Sequence, residues 1–215
     1  MSEQTAVVFD LDGTLIDSVP DIAASVNTML TGYGLAPLDR DTVQSFVGNG
    51  TAFLFSRVCD VRDVPEAERD QAYKTFMDTY VDAHDLTTIY GGVTDALDRL
   101  KAAGCVLGLC TNKPTAPMKS VLAQLGLAHY FDAMIAGDSL EKRKPDPLPL
   151  DTTFTMLGRT RQFYVGDSEV DAETAQNAQI DFVFFTGGYH KTTVAQVPKR
   201  WSFDHWSELP DLILG

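Results

Sequence analysis

Cysteine is scarce in this chain, three residues among 215, and no two of them stand in a CxxC spacing. Cys105 and Cys110 share one apolar segment. In a strand their spacing puts them on opposite faces and roughly 16 Å apart at ~3.3 Å per residue, too far for a disulfide. With Cys59 left over the count is odd, so reduced thiols of a cytosolic protein are expected. The four histidines, His84, His129, His190 and His205, are scattered, which argues against a zinc site. Basic residues are also few: 17 Lys and Arg face 30 Asp and Glu, for a formal net charge of -13. Such a surface repels polyanions and offers no basic stripe, which excludes nucleic acid as a partner. A small phosphate ester is not excluded, because a few local cations can hold one. No apolar run approaches the ~18 residues of a membrane span. The opening Met1-Ser2-Glu3-Gln4 has neither a basic stretch nor an apolar signal core. The expected location is therefore the cytoplasm, with no membrane partner. No internal repeat or low-complexity tract is present, and nothing in the sequence sets an oligomeric state.

What remains is an ordinary globular composition, 44% hydrophobic and 22% charged. A chain of this size buries roughly 70% of its extended surface and needs no disulfide or metal to fold. Short apolar runs recur, each ending in a polar loop: Ala6–Phe9, Cys105–Cys110, Met134–Ala136, Phe163–Val165 and Phe182–Phe185. Each reads as a strand buried on both faces, as in a parallel sheet. Between them lie helical patterns. Val93, Leu97 and Leu100 are followed by Gly104 as a stop; Met118, Val121, Leu122 and Leu125 are followed by Gly126. The stretches 148–157 and 171–178 continue the alternation. The series predicts a doubly wound α/β core. From Asp17 to about Asp85 only helical stripes occur, such as Ile22, Val26, Met29 and Leu30, or Tyr73, Phe76, Met77 and Tyr80. The expected organisation is an α/β core over residues 1–16 and 86–215, with an all-helical insertion over 17–85.

The densest chemistry is Phe9-Asp10-Leu11-Asp12-Gly13-Thr14-Leu15, directly after the first strand. Open α/β sheets bind ligands at the carboxyl ends of their strands. Two carboxylates two residues apart at that place repel each other unless a cation sits between them. A lone Asp-x-Asp is often only a turn; the order strand, DxDGT, helix points to a site.

Val8 to Ser18 resembles the first motif of phosphatases of the haloacid dehalogenase (HAD) superfamily. Three further segments resemble the later motifs in order: Leu109-Cys110-Thr111-Asn112-Lys113, Arg143-Lys144-Pro145-Asp146-Pro147, and Tyr164-Val165-Gly166-Asp167-Ser168-Glu169-Val170-Asp171. The resemblance covers essentially the whole chain. It implies a Rossmann-like core with a helical cap, and it assigns roles. Asp10 is the nucleophile that forms an aspartyl-phosphate, and Asp12 is the acid/base. Thr111 binds a phosphoryl oxygen with Asn112 assisting, and Lys144 offsets charge. Asp167 is a metal ligand, and Asp171 is an outer ligand or an orienting partner. Asp12 contributes its backbone carbonyl to the metal. Four carboxylates and a phosphate dianion in one place require a hard cation with oxygen ligands, and Mg2+ suits best. In two places the chain departs from the family pattern: Gly91-Gly92-Val93 stands for Pro-Gly-Val, and Ala178-Gln179 for Ala-Gly.

In the helical block, Phe46-Val47-Gly48-Asn49-Gly50, Leu54 and Arg57 resemble the cap of bacterial phosphoglycolate phosphatases. So do the stretch from Ile16 to Asp21 and Thr111-Asn112-Lys113-Pro114. The implied partner is a small phosphorylated metabolite, 2-phosphoglycolate, hydrolysed to glycolate and phosphate. Gly48, Asn49 and Gly50 would hold its carboxylate through backbone N–H groups, with Arg57 in reach if its helix points inward. The same residues read as a helix–helix turn and a solvent-facing arginine otherwise. A sugar-phosphate phosphatase or a β-phosphoglucomutase-like phosphotransferase would keep all four core motifs. A dehalogenase has no need of the acid at position 12, and a phosphonate hydrolase would want a cap lysine, where only Lys74 stands. A non-catalytic binding protein on this fold would normally have lost one of the acids.

Overall fold

The computed structural model describes residues 4–158 and 161–215. Its first strand, β1 (Thr5–Phe9), is followed at once by a two-residue strand, β2 (Ile16–Asp17). A helical run comes next: α1 (Val19–Gly32), α2 (Arg40–Gln44), α3 (Thr51–Val61) and α4 (Arg69–Tyr80). The chain then returns through β3 (Thr88–Ile89) to the alternation α5 (Val93–Ala102), β4 (Val106–Cys110), α6 (Thr115–Gln124), β5 (Ala133–Ile135) and α7 (Leu148–Leu157). It closes with β6 (Arg161–Gly166), α8 (Glu169–Ala178), β7 (Asp181–Phe185), β8 (Trp201–Phe203) and α9 (Leu209–Leu214).

Six strands form one parallel sheet in the order β5-β4-β1-β6-β7-β8. In register, Val8 faces Gly108 on one side and Tyr164 on the other. The fold class read from the sequence is the one found. Ala6, Val7, Val8 and Phe9 are all fully buried, because β1 is central and helices cover both faces of the sheet. Alternate residues divide between two cores. Val7, Phe9, Leu107 and Leu109 pack with α5, α6 and α9, while Ala6, Val8 and Tyr164 pack with α7 and α8. Cys105 and Cys110 fall into these opposite clusters, as the strand geometry requires.

Residues 19–80 contain helices and turns and no strand, and their apolar side chains make a separate cluster around Met29, Leu30, Val58 and Phe76. Phe76 is fully buried and stacks on Tyr80 with ring centroids 5.2 Å apart. Truncating such a side chain costs about 3–5 kcal/mol. The two chain crossings between this block and the sheet run side by side. Antiparallel β2 and β3 pair Ile16 with Ile89, and Asp21 accepts from Leu86 N and Thr87 Oγ1. The sheet's strand ends and the helical block thus face each other across the loops that follow β1, β4 and β6.

Candidate active site

β1 ends at the point where strand order reverses, with β4 on one side and β6 on the other. Asp10 continues the ladder: its N–H donates to Val165 O at 2.9 Å. The loop beyond it is held by Leu11 O, which accepts from the N–H groups of Thr14, Leu15 and Ile16. Gly13 has φ +86°, and a Cβ there would collide with the Asp167 carboxylate and the Tyr189 ring. Thr14 Oγ1 donates to Asp167 Oδ1 at 2.7 Å. The Gly-Thr that follows Asp12 is therefore dictated by Asp167, which the end of β6 brings across.

Asp171 works differently. It is the third helical residue of α8, in a capping box with Ser168. Its Oδ2 accepts from Ser168 Oγ at 2.6 Å, Ser168 N at 3.1 Å and Asp167 N at 3.3 Å. Its Oδ1 accepts from Lys144 Nζ and Tyr164 Oη, both at 2.7 Å. With its acceptor capacity occupied, Asp171 is an orienting group. It aims Lys144, which is 3% exposed and lies 2.9 Å from Asp10 Oδ1. Burial works to lower the Lys144 pKa, but Asp10 and Asp171 outweigh it and hold the ammonium above its ordinary value. Burial pushes the Asp10 carboxyl up to about 7, with Lys144 opposing and Asp171 adding to the rise. Burial, then Asp171 and Asp10, raises Asp167 well above the carboxylate range.

This cluster fits a divalent cation. Asp10, Asp167 and Asp171 offer oxygens within 4.8 Å of one another, all buried, against one ammonium. Asp10 Oδ1 is buried, with the Lys144 ammonium 2.9 Å away. An oxygen-seeking ion of charge two would balance the negative charge that this one ammonium leaves over. Asp10 and Asp167 have the free lone pairs, whereas those of Asp171 are taken.

Thr111 and Asn112 stand at the end of β4, as their motif predicts. Thr111 N donates to Ile135 O at 3.0 Å, and its hydroxyl accepts from Lys113 N at 3.2 Å. Asn112 is not a free donor. Its amide nitrogen donates to Gly48 O at 2.9 Å and Lys144 O at 3.0 Å, so it ties the helical block to the core; its buried Oδ1 has no partner among the described residues.

Above these groups lies a cleft floored by Asp10, Asp12 and Thr111 and walled by Ile22, Val47, Leu54 and Phe76. Gly48 and Gly50 line it, both at positive φ (+113° and +87°). The backbone N–H groups of residues 48–50 have no acceptor among the described residues. Asn49 instead faces the loop from Glu141 to Asp146. Arg57 is not brought to the cleft: its side chain is 47% exposed, 3.7 Å from Asp60, and lies over the Phe46 ring. Two helical turns beyond Gly50 carry it about 10 Å along α3, past the cleft mouth.

Lys113 and Tyr80 belong to the site and were read from sequence only as part of a motif and part of a core stripe. Lys113 is 6% exposed; its Nζ lies 3.0 Å from Asp12 Oδ1 and 2.6 Å from Tyr80 Oη. Burial opposes its charge, and Asp12 with Tyr80 more than restores it. Ser18 Oγ also donates to Asp12, at 2.6 Å. The signal for Lys113 was its place one residue past Asn112. For Tyr80 no sequence signal separates it from Phe76.

Residues 7–185 match the model of the haloacid dehalogenase-like hydrolase family. The chain is similar to a phosphoglycolate phosphatase of Cereibacter sphaeroides, 46% identical over 210 residues and covering 96% of each protein. A phosphoglycolate phosphatase of Rhodobacter capsulatus is 41% identical, covering 98% of this chain and 97% of its own. The crystal structure of a predicted phosphoglycolate phosphatase from Haemophilus somnus superposes with a TM-score of 0.93 at 31% identity, over 99% of both chains.

Proposed function

This chain belongs to the haloacid dehalogenase-like hydrolase family, and we propose on that footing that it hydrolyses 2-phosphoglycolate to glycolate and phosphate. The observation that carries the chemistry is the pair of unlike carboxylates at the end of β1. Asp10 lies against Lys144 in a buried anionic cluster; Asp12 lies apart, beside Ser18 and Lys113. Two carboxyls in different surroundings suit two roles. An Asp10 oxygen attacks phosphorus and the bond to the glycolate oxygen breaks, while Asp12 gives that oxygen its proton. The aspartyl-phosphate is then opened by a water that Asp12 deprotonates, and Asp10 is regenerated. Thr111 holds a phosphoryl oxygen through its hydroxyl, and Lys144 neutralises charge between the attacking carboxylate and the phosphoryl group.

Mg2+ is the metal we assign, held by Asp10, Asp167 and the Asp12 carbonyl, where it supplies charge neutralisation for the transferring group. Asp171 keeps Lys144 aligned. In this reading, residues 1–16 and 86–215 are the catalytic core and residues 17–85 a cap.

The substrate choice is supported by the cleft walls. Ile22, Val47, Leu54 and Phe76 offer a sugar's hydroxyls no partners, whereas the free N–H groups at Gly48, Asn49 and Gly50 and the N-terminus of α3 favour a small anion. Phosphate release should be compared side by side for 2-phosphoglycolate, a hexose phosphate, a nucleoside monophosphate and ethyl phosphate. The expected preference for 2-phosphoglycolate is at least about tenfold in kcat/KM, since one charge-assisted hydrogen bond contributes ~1.5–3 kcal/mol. Faster turnover of any of the others defeats the substrate; isomerisation without release defeats the hydrolase reading.

A further inference from the structure

We propose that Lys113, with the Tyr80 hydroxyl, is the receptor for the carboxylate of the substrate and so determines specificity. The inference rests on the phosphoglycolate reading above and adds to it the group that selects the acid. Among the described residues lining the cleft, Lys113 is the one cation. Lys144 is turned into the cluster of Asp10 and Asp171, and Arg57 stands outside on Asp60.

The position of Lys113 follows from the chemistry of Asp12. The leaving oxygen must lie against the carboxyl that protonates it. In 2-phosphoglycolate the carboxylate carbon is two covalent bonds from that oxygen, so the carboxylate falls immediately beside Asp12. There the Lys113 ammonium stands, 3.0 Å from Asp12 Oδ1. Its Nζ donates to Tyr80 Oη and to both Asp12 oxygens, at 3.0 and 3.4 Å, and the long bond to Asp12 Oδ2 is the one that an arriving carboxylate replaces. Tyr80 accepts from Lys113, so its own proton is available to the same carboxylate. That phenol stays protonated, because burial pushes its pKa up to about 12. Apolar walls exclude water around the pair and strengthen both contacts. A substrate of the same length without the anion would leave the ammonium with one weak acceptor in place of a strong one, a loss that acts as rejection.

Three two-carbon phosphoesters that differ only in their far end make the test: 2-phosphoglycolate (anionic), ethyl phosphate (neutral) and phosphoethanolamine (cationic). kcat/KM is measured for each, with Mg2+ present, on the full chain and on Lys113→Met, Lys113→Arg and Tyr80→Phe. The wild type should rank them in that order. In Lys113→Met the ratio of 2-phosphoglycolate to ethyl phosphate should fall by about tenfold to a hundredfold, and phosphoethanolamine should gain on ethyl phosphate. Lys113→Arg should keep most of the ratio, and Tyr80→Phe should lower it by about threefold or more. Equal losses on all three substrates in Lys113→Met would overturn the assignment, because a lysine that only props Asp12 slows every ester alike. Should Lys113→Met lack a cooperative melt, an unchanged ratio in Tyr80→Phe together with a lost ratio in Lys113→Arg overturns it instead. A wild type that uses ethyl phosphate as well as 2-phosphoglycolate defeats the substrate reading itself, and the receptor with it. A wild type that keeps its preference while Lys113→Met shares it defeats the receptor alone.

Discussion

Replacing Lys144 by methionine probes the balance of buried charge directly, because volume is nearly kept while the ammonium is lost. Lys144 is 3% exposed and lies 2.9 Å from Asp10 and 2.7 Å from Asp171, with Asp167 in the same cluster. Three carboxylates facing one ammonium become three facing none. Breaking a buried pair from one side costs about 3–5 kcal/mol, most of it the penalty of stranding the opposite charge. At about 2–4 °C per kcal/mol for a chain of this size, the metal-free variant should melt about 6–20 °C below the wild type. Asp171→Asn removes an anion from the same cluster and should cost less, since two carboxylates then face one ammonium. The double variant should be more stable than the sum of the single losses implies, with a coupling of about 0.5–3 kcal/mol. Excess Mg2+ should recover part of the Lys144→Met loss, because the ion replaces the missing positive charge. The assay is calorimetric melting of the three variants and the wild type, in chelator and in Mg2+. A metal-free Lys144→Met that melts within about 2 °C of the wild type would refute the reasoning.

Asp10→Asn should abolish phosphate release while melting near the wild type; activity within about tenfold of wild type would sink the nucleophile. The folded Asp10 carboxyl is raised from 3.8 to about 7, so folding favours its protonated form. The stability this contributes to the metal-free protein is present below about pH 4 and lost as pH rises to about 7. Mg2+ favours the ionised form, so its melting-temperature gain should be larger at about pH 8 than at about pH 5, and equal gains would contradict the cluster. Ca2+ should support turnover poorly beside Mg2+, because its longer bonds and higher coordination misplace the attacking carboxylate; full activity in Ca2+ or in chelator counts against the site. Gln179 closes α8 in the left-handed region at φ +57° and is exposed. Gln179→Gly should therefore stabilise the protein by about 1 kcal/mol, or about 2–4 °C in thermal melting, and a lower melting temperature would show that the glutamine side chain holds the turn.

The core was legible because most of its strands are short apolar runs, and β1, β4 and β6 are followed at once by Asp10, Thr111 and Asp167. The runs at Ala6–Phe9 and Phe182–Phe185 reappear within β1 and β7, and the stretch 148–157 is α7 residue for residue. β8 escaped, since three residues, Trp201-Ser202-Phe203, give too little alternation to count. The β2–β3 pair escaped for the same reason. Gln179 stands where the family pattern has glycine, and it adopts the glycine-like conformation there. The site was legible where it lies on one chain segment. The closeness of Asp167 to Gly13, or of Lys144 to Asp171, comes only from the parallel pairing of β1 with β6 and from a loop after β5. Arg57 was placed by counting turns from Gly50, but a count along one helix cannot tell which way its end points. The family resemblance gives Asn112 an assisting role at the phosphoryl group; its partners, Gly48 O and Lys144 O, come from distant segments that a motif does not show.

The acidity of the whole chain and the acidity of the site are separate matters. The surface charge is dispersed and screened over about 8–10 Å at ordinary salt, so it opposes a small anion only weakly at the cleft. Inside, Asp10, Asp12, Asp167 and Asp171 stand against Lys113 and Lys144, so that with all four carboxyls ionised, two positive charges against four negative leave an excess of two negative. A divalent cation held there would cancel that excess, so that an arriving phosphate would meet a neutral cluster rather than a repelling one. Each ammonium is also held before substrate arrives, Lys144 by Asp171 and Tyr164, Lys113 by Asp12 and Tyr80. Preorganised charges of this kind need no reorientation during the reaction. The division between them follows from their partners: Lys144 is bonded to Asp10, the proposed nucleophile, and Lys113 to Asp12, the proposed acid/base.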